Sequence, residues 1–386
     1  MNERTTARTL PSFASRLVRV RLKPPVLVAA TTCVPRRRTT ARRAALTLGS
    51  GLLVFALLQI GLAVAARNAL ISDPFYGDKE RLLRRVERAG APDAVKILAL
   101  GSSRTEHGFA AANVESAAGA AGLSATAFNF GTSAAGPVTN DVYLRRLLAD
   151  GHAPALMLLE VFPVLMADTG SGPPETRTLA ADRLSWAETN RLVEHYEFPT
   201  KFRADRAAAD GLAWQSHRFK LLGRVAPRTL PYQFRFNTSR MTDSHGWLPP
   251  AGGPGPDPQA VARTVAAYRD TFRDWRPGAV PAAALRDALA LCCEKHIDVA
   301  LVLMPEASMF RALSPPVVNQ RLSSFLTGMS AEFGCRSIDA RDWVPDDEFL
   351  DGHHLLRPGA VVFTERLTTE VILPYLRARS AGRTIP

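Results

Sequence analysis

Apolar positions along this chain fall into two patterns. The first is one unbroken run, Ala44 to Ala66 (AALTLGSGLLVFALLQIGLAVAA), 23 residues without a charge and with Gln59 as its one strongly polar side chain. The second is a series of short apolar runs, each bounded by turn residues: Val95 to Leu100, Thr126 to Phe130, Ala155 to Val161, Asp298 to Met304 and, shorter, Arg336 to Asp339. Runs of this length, alternating with segments of helical period, predict strands buried on both faces of a parallel sheet with crossover helices. The intervening helices are expected over Gly108 to Gly122, Thr139 to Asp150, Ala282 to Lys295, Val317 to Phe333 and Pro358 to Leu376, with Pro374 a candidate interruption. Asp73 to Gly90 reads as a charged helix leading away from the long apolar run.

Between Asp168 and Val280 this rhythm stops. The region is rich in Arg, Trp, Phe and Pro, and residues 249–258, PPAGGPGPDP, form an extended connector. Asp257 and Pro258 then open a helix expected to reach Trp275. The region is an insertion, either a lid over the sheet edge or a peripheral lobe without ligand contact. The chain thus divides into a basic tail (1–43), an apolar span (44–66), the first part of an α/β domain (67–167), the insertion (168–280) and the second part of the domain (281–386).

The charge balance changes meaning once mapped. The chain carries +12 overall, yet residues 1–43 hold eleven Arg and Lys against one acid, leaving about +2 for the rest. A basic segment ahead of an uncharged 23-residue run argues for a membrane rather than nucleic acid. As a helix the run measures roughly 34 Å, enough to cross a hydrocarbon core of about 30 Å. The positive-inside bias leaves the tail in the cytosol and the remainder outside. Ala63-Val64-Ala65 has the form of a signal-peptidase site, so a cleaved signal is the alternative. The tail has no convincing periodicity and reads as disordered. Of the four cysteines, Cys33 lies in the tail, while Cys292, Cys293 and Cys335 would face an oxidising compartment as one disulfide or as buried thiols. No Cys or His spacing suggests zinc.

Two segments carry candidate chemistry. The first strand runs into Gly101-Ser102-Ser103 and then a polar helix start, which is either a plain turn with a Ser cap or a hydroxyl at the carboxyl edge of a sheet. Near the end of the chain stands Asp351-Gly352-His353-His354. A serine nucleophile needs a base to take its proton and a carboxylate to orient the imidazole, and Asp-x-x-His supplies both from one loop. The spacing selects His354 over His353 as that base.

With these residues the sequence resembles the SGNH (GDSL-type) hydrolase superfamily. Within it the chain is similar to the membrane-anchored, extracytoplasmic branch that includes alginate O-acetylation and D-alanyl-lipoteichoic acid proteins. The resemblance covers Val95 to about Phe162 and Asp298 to Leu376. It implies a three-layer α/β/α fold with a five-stranded parallel, flavodoxin-like sheet, Ser103 as nucleophile, His354 as base and Asp351 as its partner. It also implies an oxyanion hole built from the N–H groups of Ser103 and of Gly131 in FNFGTS. The sequence departs from the pattern at Ser102, where the family has Asp. It departs again after the third strand, where Leu159-Glu160-Val161-Phe162-Pro163 replaces a Gly-x-Asn-Asp block and removes an oxyanion donor. Asn140 and Arg104 are candidate substitutes. The implied function is an acyl esterase or O-acyltransferase of the inner membrane, acting outside the cytosol on a cell-envelope glycan, without metal or organic cofactor. Expected partners are the glycan or an acyl donor, the membrane, and a membrane acyltransferase. The rival is a non-catalytic assembly or glycan-binding protein that keeps the fold.

Overall fold

In the computed structural model the described residues are 37–167, 175, 179–196, 201–231, 242–250 and 255–382. The basic tail through residue 36, Cys33 and connector residues 251–254 lie outside them. The chain divides into two units, Met1–Val54 and Phe55–Pro386. The division falls within the first helix, α1 (Arg37–Ala65), whose stretch Thr40–Ala65 is long and apolar enough to cross a membrane. Its large apolar side chains are exposed, Leu58 and Ile60 by 66% and 61%.

The second unit is built on strands β1 (Val95–Leu100), β2 (Ala125–Asn129), β3 (Leu156–Glu160), β4 (Asp298–Leu303) and β5 (Arg336–Asp339). They form one sheet in the order β2-β1-β3-β4-β5, with every neighbouring pair parallel. This is the doubly wound, flavodoxin-like order, whose ligand crevice opens at the carboxyl ends of β1 and β3 where the winding reverses. Side chains alternate across the sheet as strand geometry requires. Leu98, Leu100, Phe128, Met157 and Leu301 enter one core; Ile97, Ala99, Ala127, Leu158 and Val302 enter the other.

The helices that follow α1 are α2 (Ala69–Ser72), α3 (Pro74–Ala89), α4 (Ser103–Gly108), α5 (Ala111–Ala120), α6 (Pro137–Ala149) and α7 (Pro163–Met166). The insertion supplies α8 (Trp186–Tyr196), α9 (Lys201–Gly211), α10 (Ala213–Val225) and α11 (Pro258–Arg273). The remainder are α12 (Ala279–Glu294), α13 (Ser308–Arg311), α14 (Pro316–Phe333), α15 (Arg357–Leu367) and α16 (Leu373–Ser380). Side chains of α3, α6, α12 and α14 fill the first core, and those of α5, α15 and α16 the second, giving three layers.

Several elements differ from the sequence expectation for identifiable reasons. The segment after Asp73 is the expected charged helix and is also part of the core. Tyr76, Leu83 and Val86 fall on one face of α3 and are buried with the sheet, and Asp73 caps the helix by accepting from the Tyr76 N–H. The expected Ala-rich helix is α5 and the polar helix start after Gly-Ser-Ser is the separate α4; between them, at Phe109-Ala110, the side-chain amide of Asn129 donates to the carbonyls of Thr105, Glu106 and Phe109. The closing helix is interrupted ahead of Pro374 by a π-helical turn, Thr368–Ile372, which accommodates a residue without an N–H. The insertion contains helices although its sequence lacks a clean period; α9 (KFRADRAAADG) is mostly Ala and charge. Cys292, Cys293 and Cys335 are free thiols, the first and last of them buried. Burial raises the Cys292 thiol to about 12.

Candidate active site

β1 ends at Gly101, and the chain turns at once into α4. Ser102 is the cap of that helix, its hydroxyl accepting from the Arg104 N–H at 3.1 Å, so the reading of Gly-Ser-Ser as a capped turn is met by Ser102. Ser103 is left as the first helical residue, half-buried, with its hydroxyl not used in the cap. Among the described residues its N–H has no hydrogen-bond partner, as expected of a first-turn donor.

The loop after β5 brings the second half of the site. A short bridge between Phe349 and Leu355 closes it, with Leu350 N–H donating to the His354 carbonyl at 2.9 Å. Within this clip Asp351 Oδ1 accepts from the His354 N–H at 2.9 Å, and Asp351 Oδ2 lies 2.8 Å from His354 Nδ1. The other ring nitrogen, Nε2, lies 2.8 Å from Ser103 Oγ. The structure therefore brings Ser103, His354 and Asp351 into one hydrogen-bonded line. With Nδ1 protonated toward the carboxylate, Nε2 presents its lone pair to the serine hydroxyl. Burial would raise the Asp351 carboxyl, but the two imidazoles beside it outweigh that and hold it well below the ordinary carboxylate range. It stays an anion able to stabilise an imidazolium.

His353 has different surroundings. It is buried, stacks on Phe310 at 5.2 Å and on Phe162 at 5.9 Å, and meets the edge of Tyr268 at 5.5 Å. Its Nδ1 lies 3.2 Å from Asp351 Oδ1 without the geometry of a hydrogen bond. Burial lowers its pKa to about 4, so the ring is neutral near pH 7. Asp351, His353 and His354 also form a group whose nitrogen and oxygen atoms lie within 4.8 Å of one another, a spacing that could hold a metal ion. Both ring nitrogens of His354 already face Asp351 and Ser103, so a metal there would have to break that line.

The turn carrying Ser103 is held from below by Glu160, at the end of β3. Its carboxylate accepts from the Ser102 N–H at 2.7 Å, the Ser102 hydroxyl at 2.9 Å and the Thr105 hydroxyl at 2.6 Å. Gly101 is needed for this approach. A Cβ there would meet Thr105 Oγ1 at 2.2 Å and Glu160 Oε2 at 2.4 Å. Glu160 thus stands inside the segment that replaces the expected Gly-x-Asn-Asp block. Its sequence signal was a lone acid closing an otherwise apolar strand.

The expected oxyanion donor Gly131 needs correction. The loop after β2 does pass beside α4, so closely that a Cβ on Gly131 would meet the Glu106 nitrogen at 2.4 Å. Its N–H, however, donates to Asn129 Oδ1 at 2.9 Å and is not free for a ligand. Neither candidate substitute bonds Ser103 or His354. Arg104 is buried, its Nη2 donating to the carbonyls of Met304 (2.7 Å) and Pro305 (2.9 Å) beside Glu306, with Phe162 covering its face at 4.4 Å. Asn140 is buried on α6, its Oδ1 without a hydrogen-bond partner. Among the residues considered, only the Ser103 N–H remains as an oxyanion donor.

Residues not anticipated from sequence complete the surroundings. Lys79 of α3 is buried and reaches the carbonyls of Gly131, Asn129 and Gly246 and the Glu106 carboxylate. Its signal was a lysine on the apolar face of α3, three residues after Tyr76 and four before Leu83. From the insertion, Trp247 Nε1 donates to the His107 carbonyl at 2.7 Å, and Leu248 N–H donates to the Glu106 carbonyl at 3.0 Å. His107 in turn meets His354 edge-on at 5.8 Å. Part of the insertion therefore packs directly on the helix that carries Ser103.

No protein-family model and no curated protein matches the chain. Among solved structures, a lipase/acylhydrolase from Enterococcus faecalis is 14% identical, the match covering 72% of this chain and 96% of that one at a TM-score of 0.31. A proposed acylhydrolase from Bacteroides fragilis is 11% identical, covering 77% and 96% at a TM-score of 0.34. At these scores neither likeness adds to what the strand order and the site geometry say by themselves.

Proposed function

We propose that the protein is a membrane-anchored acyl esterase or O-acyltransferase working through an acyl-serine intermediate. The observation that carries this reading is the line Ser103 Oγ to His354 Nε2 to Asp351, with both links at 2.8 Å. In the first half-reaction the Ser103 oxygen bonds to the acyl carbonyl carbon while its proton passes to His354 Nε2. The carbonyl oxygen becomes an oxyanion facing the Ser103 N–H. The tetrahedral species collapses, the bond to the leaving alcohol breaks, and His354 returns the proton to that alcohol. In the second half-reaction water or an acceptor hydroxyl loses a proton to His354 and attacks the acyl carbon, the bond to Ser103 Oγ breaks, and His354 returns the proton to that oxygen. The apolar helix α1 supports a membrane location, with the basic tail in the cytosol and the α/β domain outside. That address, with the resemblance to anchored SGNH proteins, favours an acyl group on a cell-envelope glycan and a membrane acyltransferase as partner.

A second reading rests on the Gly131 N–H being held by Asn129 and on the missing Asn after β3. Loss of one oxyanion donor typically costs about 2.7–4 kcal/mol of barrier. A protein that tolerates that loss could serve in assembly or glycan binding without turnover. Labelling of the full-length protein in detergent by a fluorophosphonate separates the two, since only an activated serine reacts. We expect labelling that is abolished in Ser103→Ala and in His354→Ala and retained in His353→Ala. Absence of labelling in the wild type, beside a serine esterase that labels under the same conditions, would leave the non-catalytic reading standing.

A further inference from the structure

The insertion's helical pair α9–α10 stands beside the outer end of the apolar helix, and three contacts orient it. The Trp214 N–H donates to Gln59 Oε1 at 2.9 Å, Lys220 Nζ donates to the Ser72 carbonyl at 2.7 Å, and Arg224 donates to Asp78 at 2.8 Å. The partners Gln59, Ser72 and Asp78 follow one another up the chain out of the apolar run. Helix α10 therefore runs alongside that stretch in the same sense. Its N-terminus, the turn from α9 at Gly211-Leu212, is the end nearest the apolar run.

The depth of that turn follows from helix geometry. Gln59 precedes Ala66 by seven residues, about 10 Å at 1.5 Å per residue. If the apolar run spans a bilayer, its last few residues emerge, and Gln59 sits roughly 5–10 Å below the headgroup boundary, the depth at which interfacial helices bury their apolar faces. The side chains exposed at the turn suit that depth. Leu212 is 51% exposed, Trp214 45% and Trp186 42%, and no residue from Gly211 to His217 carries a formal charge. Trp186 is fixed to the same end by its indole N–H, which donates to Asp210 at 2.7 Å. An indole with an apolar body and one polar edge is the side chain enriched at membrane interfaces. Gln59, the odd polar residue of the apolar run, gains a reason as well: its amide is the clamp on the turn.

We infer that the α9–α10 turn is a second membrane contact, inserting Leu212, Trp214 and Trp186 into the outer leaflet beside the span. This rests on the proposed membrane location and goes beyond it. The span alone would let the α/β domain swivel on the Ala66–Asn68 link, whereas two contacts hold it at a fixed height and tilt. The insertion is then neither a lid nor an idle lobe in this part, but a lipid-facing foot.

The test is tryptophan quenching in phosphatidylcholine vesicles brominated on the acyl chain near the headgroup, with the full-length chain reconstituted. Wild-type emission should be quenched, and Trp186→Phe/Trp214→Phe should lose most of that quenching, the other three tryptophans lying in the α/β body or against α4. Equal quenching in the double variant, or an unquenched wild type that still resists carbonate extraction, overturns the inference while leaving the membrane anchor intact. Release of the protein by carbonate overturns the anchor and the inference together. A far-ultraviolet circular dichroism spectrum in unbrominated vesicles that matches the wild type shows that the Phe variant is folded.

Discussion

His353 and His354 are adjacent in sequence and respond to acid differently. The His353 imidazole, between Phe162 and Phe310, has its pKa lowered to about 4 by burial, against 6.5 for an open histidine. Between these values the unfolded chain takes up a proton that the folded chain refuses. Stability from this group is therefore complete above about pH 6.5 and is lost as pH falls toward 4. The loss between pH 7 and 4.5 should be about 2–3 kcal/mol. His353→Leu should flatten that dependence in denaturant titrations taken across the interval. A variant whose stability falls as steeply as the wild type would place the acid sensitivity elsewhere. Asp351 acts outside this window. Its depressed carboxyl contributes stability that is lost only as pH falls below the ordinary carboxylate range.

At the scale of elements, the turn from β1 into α4 depends on the end of β3. Glu160 gathers three donors from Ser102 and Thr105, none of which has another acceptor of comparable strength. In Glu160→Gln one acceptor oxygen becomes a donor facing donors. We expect a stability loss of about 1.5–3 kcal/mol, and a labelling rate at Ser103 reduced about tenfold as the turn loosens. Unchanged denaturation and unchanged labelling kinetics would show that the turn holds itself. This contact also marks where sequence reading stops. The strands were legible because buried parallel strands write themselves as apolar runs, and the Asp-x-x-His dyad because both partners sit on one loop. The partners of Ser102 and of the Gly131 N–H were not, because Glu160 and Asn129 find their bonds through the sheet, not through local spacing. The membership of Asp73–Gly90 in the core was available in the spacing of Tyr76, Leu83 and Val86, but its many charges obscured it.

For the whole molecule, the proposed topology is set by eleven basic residues ahead of an uncharged 23-residue run. A reporter fused after Pro386 should be active only if its activity develops outside the cytosol. Activity of a cytosol-restricted reporter at that position would reverse the orientation and with it the class of substrate. The parallel strands and their crossover helices were legible in the alternation, and the sheet order and three layers were implied by the family resemblance, whereas helices α8 to α10 were not legible. Their buried stripes are short, Thr189, Leu192 and Tyr196 on α8, and are set among charged residues that obscure them.

The bond between Ser103 and His354 joins positions 251 residues apart. At a synthesis rate of about 5–20 residues per second, the serine precedes its base by roughly 13–50 seconds. During that interval β1, β2 and β3 can pair, and the turn at Gly101 can form on Glu160, before His354 has been made. A growing chain therefore carries an ordinary hydroxyl, inert toward every ester it passes. Only once residue 354 has been added, about eleven-twelfths of the way along the sequence, does the proposed nucleophile acquire its proposed base, so that termination ahead of that point leaves Ser103 without it.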